Sequence, residues 1–403
     1  MSLHNTLTGI ALAFACTTLV ACKSGYNRLY EDNSPEDEDS PACSASPINE
    51  SIADNTMKVF DLIADITCTR ITGYTLVGQS LGDGNEIQDD QNEFRSYSAL
   101  VESLFDSHNK RIAIVSIDYE KSQQFDLDQL KEANTSLVAH AEKGGIVSVT
   151  WTPLNPWTAN SNDESIDKLA KTDDTNITLL SGENEPTEIL PLAAFNEFKE
   201  QLTVVIDALK DLDSQEIPVL FAPFPEMNTT EYWYGPSEGN TLGTTETEFR
   251  ALWAHVADEI AKENLTHLLW VYAPRTGSVS ERKTATWGYP GKDEVDIVSG
   301  ISYSNSATIH DYASYLKLDK PLGMTRLAPE KADGTFSNKT YIAELQDKYI
   351  SIAYWIADHD TSSSEAADSL LSIKNNTDAK DLLDDSRTAT VETIKDKEWL
   401  KVE

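Results

Sequence analysis

Short apolar runs rich in β-branched and aromatic residues recur along the chain, each about one strand long. They are Tyr74–Gln79, Ile112–Tyr119, Ile146–Pro153, Val219–Phe224, Leu268–Pro274, Ile297–Tyr303, Leu322–Ala328 and Ile352–Ala357. Periodicity alone does not separate such runs from pieces of buried helix. The segments between them decide it. Phe94–Ser107, Leu127–Lys143, Leu192–Leu212, Glu246–Glu263, Ile309–Leu316 and Tyr341–Asp347 carry apolar residues at helical spacing. Asp126 and Thr245 predict helix N-caps, and Gly144 a C-terminal stop. Continuous apolar strands that alternate with helices predict a parallel sheet buried on both faces. Eight such units over this length point to an α/β fold, the (β/α)8 TIM barrel.

In that architecture chemistry gathers where strands end at their C-terminal side. The residues to read are therefore Gln79, Asp118-Tyr119, Trp151-Thr152, Pro223 to Asn228, Trp270 to Tyr272, Tyr303-Ser304, Arg326 and Asp358.

The N-terminus is a separate matter. Residues 1–21 hold an apolar run, Ile10 to Val20, and no acidic residue. That is a signal-peptide pattern, too short for a comfortable membrane span. The run ends in Leu19-Val20-Ala21-Cys22, which resembles the bacterial lipobox. The resemblance implies that Cys22 is acylated and becomes the mature first residue. The alternative is an ordinary secretory signal followed by a chance cysteine, and Met1 to Gly9 lacks the usual Lys or Arg. Lys23 after the Cys, rather than Asp, implies sorting to the outer membrane or cell surface. Residues 22–54, with Glu31-Asp32 and Pro35-Glu-Asp-Glu-Asp39, read as an acidic, self-repelling, disordered tether. Residues 55–403 are long enough for one barrel-sized domain.

A net charge of −35 argues against nucleic acid or an anionic membrane surface as partner. Contact with a membrane is expected through the lipid alone. After loss of Cys16 with the signal, Cys43 and Cys68 remain. They are either a disulfide or two free thiols in an oxidising compartment. No His and Cys spacing points to a metal site, and no cofactor is expected.

Several segments, in order, resemble glycoside hydrolase family 26, the family of endo-β-mannanases with some β-glucan and β-1,3-xylan enzymes. They include Leu76-Val-Gly-Gln79, Ile114-Val-Ser-Ile-Asp118, Val149-Thr-Trp-Thr-Pro-Leu-Asn-Pro156, Ala222-Pro-Phe-Pro-Glu-Met-Asn228 with Tyr232-Trp-Tyr-Gly235, and Lys320-Pro-Leu-Gly-Met-Thr-Arg326-Leu-Ala-Pro329. The resemblance covers most of residues 74–360. It implies two glutamates, at the ends of strands four and seven. Retaining hydrolysis needs one to protonate the leaving oxygen and one to attack the anomeric carbon, about 5–5.5 Å apart. Glu226 matches the acid/base, but the nucleophile position is Arg326.

Other departures accompany this one. The family pattern implies Arg and His where Ala222 and Pro225 stand, and His at Thr152. It implies Asp and Tyr at Ser302 and Ser304, with Tyr303 one residue out of phase, and Trp at Asp358. Arg326 is expected to lower the pKa of Glu226 and keep it ionised, which would disarm it as an acid. Trp151, Asn228, Tyr232, Trp233, Tyr234, Trp270, Tyr272 and Tyr303 fall at or near strand ends. The aromatic rings among them either line a sugar groove or pack the barrel, and the Asn228 amide is a candidate sugar contact.

Two functions follow. One is a lipid-anchored module that binds a β-mannan-like or related β-linked polysaccharide and is catalytically impaired. The other is an active endo-β-glycan hydrolase pairing Glu226 with a relocated carboxylate: Asp118, Glu120, Asp358 or Asp360.

Overall fold

Eight parallel strands follow one another around a ring in the computed structural model. It describes residues 46–68, 73–83, 97–119, 124–156, 192–236, 244–277, 282–361 and 369–401. The strands are β1 (Thr75–Asp83), β2 (Ile114–Asp118), β3 (Ile146–Trp151), β4 (Val219–Pro223), β5 (Leu268–Tyr272), β6 (Ile297–Tyr303), β7 (Leu322–Ala328) and β8 (Ile352–Ala357). β8 pairs with β1, Leu76 opposite Tyr354 and Gln79 opposite Ala357, so the sheet closes into the predicted (β/α)8 barrel. Two-residue strands flank it, Arg275–Thr276 beside β6 and Thr388–Ala389 beside β1.

The strands read as unbroken apolar runs because both faces are covered. Inside, Leu76, Ile114, Ile146, Leu220, Leu269, Ile297 and Tyr354 share one buried cluster. Outside, Val77, Val115, Val147, Phe221 and Trp270 pack with helix residues such as Leu137, Leu209 and Trp253. Tyr354 occupies the interior because β7 offers Gly323 beside it; a Cβ there would lie 2.1 Å from the ring. Asp126 and Thr245 each form a capping box at the start of Leu127–Glu142 and Glu246–Ala261, satisfying first-turn N–H groups. Gly144, at φ +84°, follows the first of these helices.

The helix Asp54–Thr67 was not anticipated. It spreads Val59, Phe60, Leu62, Ile63 and Ile66 across the barrel floor, joining the interior cluster. Thr67 Oγ1 accepts from Leu322 N at 2.9 Å, and Ala53 N donates to Thr266 O at 2.9 Å. Residues 46–53, read from sequence as tether, also lie on the barrel. Ile48 N donates to Asp296 Oδ1 at 2.7 Å, and Asn49 Nδ2 to Leu265 O at 3.1 Å. Cys68 is disulfide-bonded. Cys22, Cys43 and Glu120 lie outside the described residues.

Candidate active site

Alternation along each strand brings Asp118, Thr150, Ala222, Tyr303, Arg326 and Asp358 to one uppermost inward layer at the C-terminal mouth. Glu226 arrives just beyond β4 on an irregular turn. Phe224 and Glu226 are both left-handed, φ +55° and +57°. Each is a strained position for a side chain of that size, by about 1–3 kcal/mol. Main-chain bonds hold the turn. Phe224 N donates to Trp151 O at 2.9 Å, Glu226 N to Ala273 O at 2.8 Å, and Thr229 N to Glu226 O at 2.9 Å.

The Glu226 carboxyl is fully buried. Its Oε1 accepts from the Tyr303 hydroxyl at 2.6 Å and, more weakly, from Tyr232 at 3.4 Å. Among the described residues its Oε2 accepts no hydrogen bond. Two guanidiniums stand just outside hydrogen-bond reach, Arg326 Nη1 at 3.9 Å from Oε1 and Arg275 Nη1 at 3.8 Å from Oε2. Arg326 is committed elsewhere. Its Nη2 donates to both oxygens of Asp118, at 2.6 and 2.7 Å. Its Nε lies 3.8 Å from Asp358 Oδ1, which itself accepts from His359 N at 3.0 Å.

This arrangement reverses one expectation. Burial raises the pKa of Glu226, and Arg326, Tyr303 and Arg275 only partly oppose it. Arg326 does lower the pKa, as expected, but burial outweighs it and the net shift is upward. The guanidinium charge is spent on Asp118 at direct contact, and what reaches Glu226 from 3.9 Å does not offset its desolvation. Arg326 itself stays charged: burial penalises it, but Asp118 and Asp358 hold its pKa well above the usual arginine value.

The remaining sequence candidates separate by parity. Trp151 follows Val147 and Val149 onto the helix-facing side. It is enclosed by Phe198 and Phe224, with ring centroids 5.7 and 5.6 Å away. Trp270 packs on Phe221 and Trp253. Tyr272 donates to Ala285 O and Trp287 O. Trp233 Nε1 donates to Pro153 O, and the Tyr234 hydroxyl to Pro225 O. All five are buried. Asn228 ties two loops, accepting from Arg275 N and donating to Arg275 O and Lys283 O. Of the aromatic candidates, Tyr232 and Tyr303 touch the carboxyl of Glu226. Among the other carboxylates, Asp118 and Asp358 converge on Arg326. Asp360 instead caps a turn through Leu371 N, Ser372 N and Ser372 Oγ. Sequence reasoning missed Arg275, whose only signal was a cation shortly after β5.

The chain belongs to glycosyl hydrolase family 26, which matches residues 48–384. It is 31% identical over 165 residues to the mannan endo-1,4-beta-mannosidase of Bacillus subtilis (strain 168), covering 40% of this chain and 44% of that protein. It is 28% identical over 296 residues to mannan endo-1,4-beta-mannosidase A and B of Caldalkalibacillus mannanilyticus, 69% of this chain and 51% of that one. The matched part thus spans about half the length of these curated relatives. Among solved structures, a Bacillus subtilis mannanase superposes with a TM-score of 0.66 at 23% identity, covering 86% of this chain and 95% of its own. A β-mannanase from a symbiotic protist of the termite Reticulitermes speratus, complexed with gluco-manno-oligosaccharide, gives 0.61 at 18%, over 87% and 97%.

Proposed function

We propose that this family 26 barrel binds a β-mannan-like, β-linked polysaccharide at the cell surface and does not hydrolyse it at the rate of a working mannanase. The observation that carries this reading is the Arg326–Asp118 pair beside Glu226. A retaining mechanism needs a second carboxyl about 5–5.5 Å from the acid. At position 326 a guanidinium lies 3.9 Å from Glu226, and both oxygens of Asp118 are engaged by it. The raised pKa of Glu226 suits a proton donor, so the acid half of the chemistry survives without a nucleophile to use it. Anchoring through an acylated Cys22 completes the proposal, with the membrane reached through lipid.

The test runs affinity gels containing mannan, glucomannan or β-glucan beside a reducing-end assay on the same polymers. Retardation without reducing ends supports the proposal. Steady release of reducing ends that Glu226→Gln abolishes overturns it.

A second reading, hydrolysis with a relocated carboxylate, draws on Asp358, 3.8 Å from Arg326 on the wall that also carries Asp118. It requires that Asp358→Asn, like Glu226→Gln, remove an activity measured on the unsubstituted protein.

A further inference from the structure

Beside Tyr303 the mouth opens into a cavity of about 340 Å³ whose lining includes Arg275, Arg282, Ser302, Ser304 and Glu330. Two guanidiniums and one carboxylate stand in that lining, while Glu231 and Glu226 face Arg275 and Asp311 faces Arg282 from behind it. Arg275 is the informative member. Its guanidinium lies over the Tyr303 ring, 4.7 Å from the centroid. Its Nη1 faces Glu231 and Glu226. Among the described residues no acceptor takes its Nε–H or its Nη2 protons. Those donors form one edge of the guanidinium fork, parallel and spaced for both oxygens of a carboxylate. Stacking on Tyr303 and the pairing of Nη1 with Glu231 hold the guanidinium before any ligand arrives. Arg282 adds a buried Nε with no hydrogen-bond partner among the described residues, while its Nη1 donates to Lys283 O and lies 2.5 Å from Asp311, and its Nη2 donates to Gly277 O. Ser302 and Ser304 supply hydroxyls of the kind that pair with sugar hydroxyls.

We infer that this cavity is a subsite for an acidic sugar unit, with the carboxylate of a uronic acid received side-on by Arg275. A neutral hexose would leave a charged fork facing water-like hydroxyls; a carboxylate gains two charge-assisted hydrogen bonds there. The inference rests on the glycan-binding reading and narrows it. The bound chain is one that carries uronate, in its backbone or on a branch.

Calorimetric titration of the full chain with β-1,4-mannohexaose, β-1,4-hexamannuronate and O-sulfated mannohexaose tests this. The mannuronate is expected to bind roughly tenfold tighter than the neutral oligomer. That advantage shrinks between about 50 mM and about 500 mM salt. Arg275→Gln brings the ratio to about one, and Glu330→Gln, which removes a lining carboxylate, widens it. Binding of mannohexaose with no gain for the mannuronate overturns the subsite and leaves the glycan reading standing. Binding of no oligosaccharide overturns both. An equal gain for the sulfated oligomer shows a site for any anion and overturns the carboxylate assignment. An unchanged ratio in both variants places the preference elsewhere and sinks the role of Arg275.

Discussion

Arg326 and Asp118, 208 residues apart in sequence, meet across the barrel mouth with one guanidinium nitrogen 2.6 Å from one carboxylate oxygen and 2.7 Å from the other. Both side chains are almost wholly out of water. The pair joins β7 to β2 beside Glu226, with Arg326 Nη1 3.9 Å from its carboxyl.

Breaking that pair from one side should destabilise the fold. Arg326→Met leaves Asp118 buried without its cation, and removing one partner of a buried pair costs about 3–5 kcal/mol. Urea unfolding is expected to show a loss of that order. Arg326→Met combined with Asp118→Leu should recover much of it, because the unpaired charge is gone. A double variant no more stable than Arg326→Met would show that the pair is not what holds these strands.

Arg326→Glu is not expected to restore mannanase activity. The new carboxylate would face Asp118 and Asp358 with no cation between them, and like charges raise one another's pKa. Groups that act as one catalytic unit are also strongly non-additive. Reducing-end release from mannan, measured beside a working mannanase, should stay near background; full activity would show that the nucleophile was the one missing part.

Stability should fall as pH rises through the weakly acidic range. Asp296 is buried on the outer side of β6, where desolvation pushes its pKa up from 3.8 to about 6 against the opposing bonds from Ile48 N and Trp270 N. A carboxyl whose folded pKa is raised stabilises fully below its unfolded pKa. That contribution is lost as pH climbs through the folded value. The window is therefore about pH 4 to 6, with an amplitude on the order of 3 kcal/mol. Glu226 is shifted in the same direction by its burial and adds a loss of the same sign above its usual range. Urea unfolding across pH 4 to 8 should show the decline, and Asp296→Asn should flatten it between those limits. A curve that instead rises across this window would contradict the assignment.

Cys22→Ser should release the protein from membranes into the soluble fraction if the cysteine carries lipid. Continued sedimentation with membranes would mean that the Leu19-Val20-Ala21-Cys22 motif is not the anchor.

The barrel was legible because a parallel sheet covered on both faces writes each strand as an unbroken apolar run. Ile297–Tyr303, Leu322–Ala328 and Ile352–Ala357 match their predicted bounds. The floor helix was not read. Its apolar residues follow an acidic stretch, and nothing in Asp54–Thr67 says that they plug a barrel. At the site, Glu226 and Arg326 were found from their places after two strands. The direction of the Glu226 pKa was not, because it depends on how far Asp118 claims the guanidinium, a contact between distant strands. The buried tryptophan was a matter of parity. Trp151 shares a face with Val147 and Val149, while Thr150 shares one with Ser148, so the ring goes to the helices and the hydroxyl to the mouth.

The left-handed turn at Phe224 and Glu226 has a practical consequence. The place of the acid is set by main-chain bonds to Trp151, Ala273 and Thr229, whereas the charges across from it are placed by the side-chain pair of Arg326 and Asp118. Anyone wishing to engineer cleavage into this scaffold would inherit a ready-made socket for the proton donor. The work of redesign would fall on β2, β7 and β8, where Asp118, Arg326 and Asp358 would have to be exchanged together.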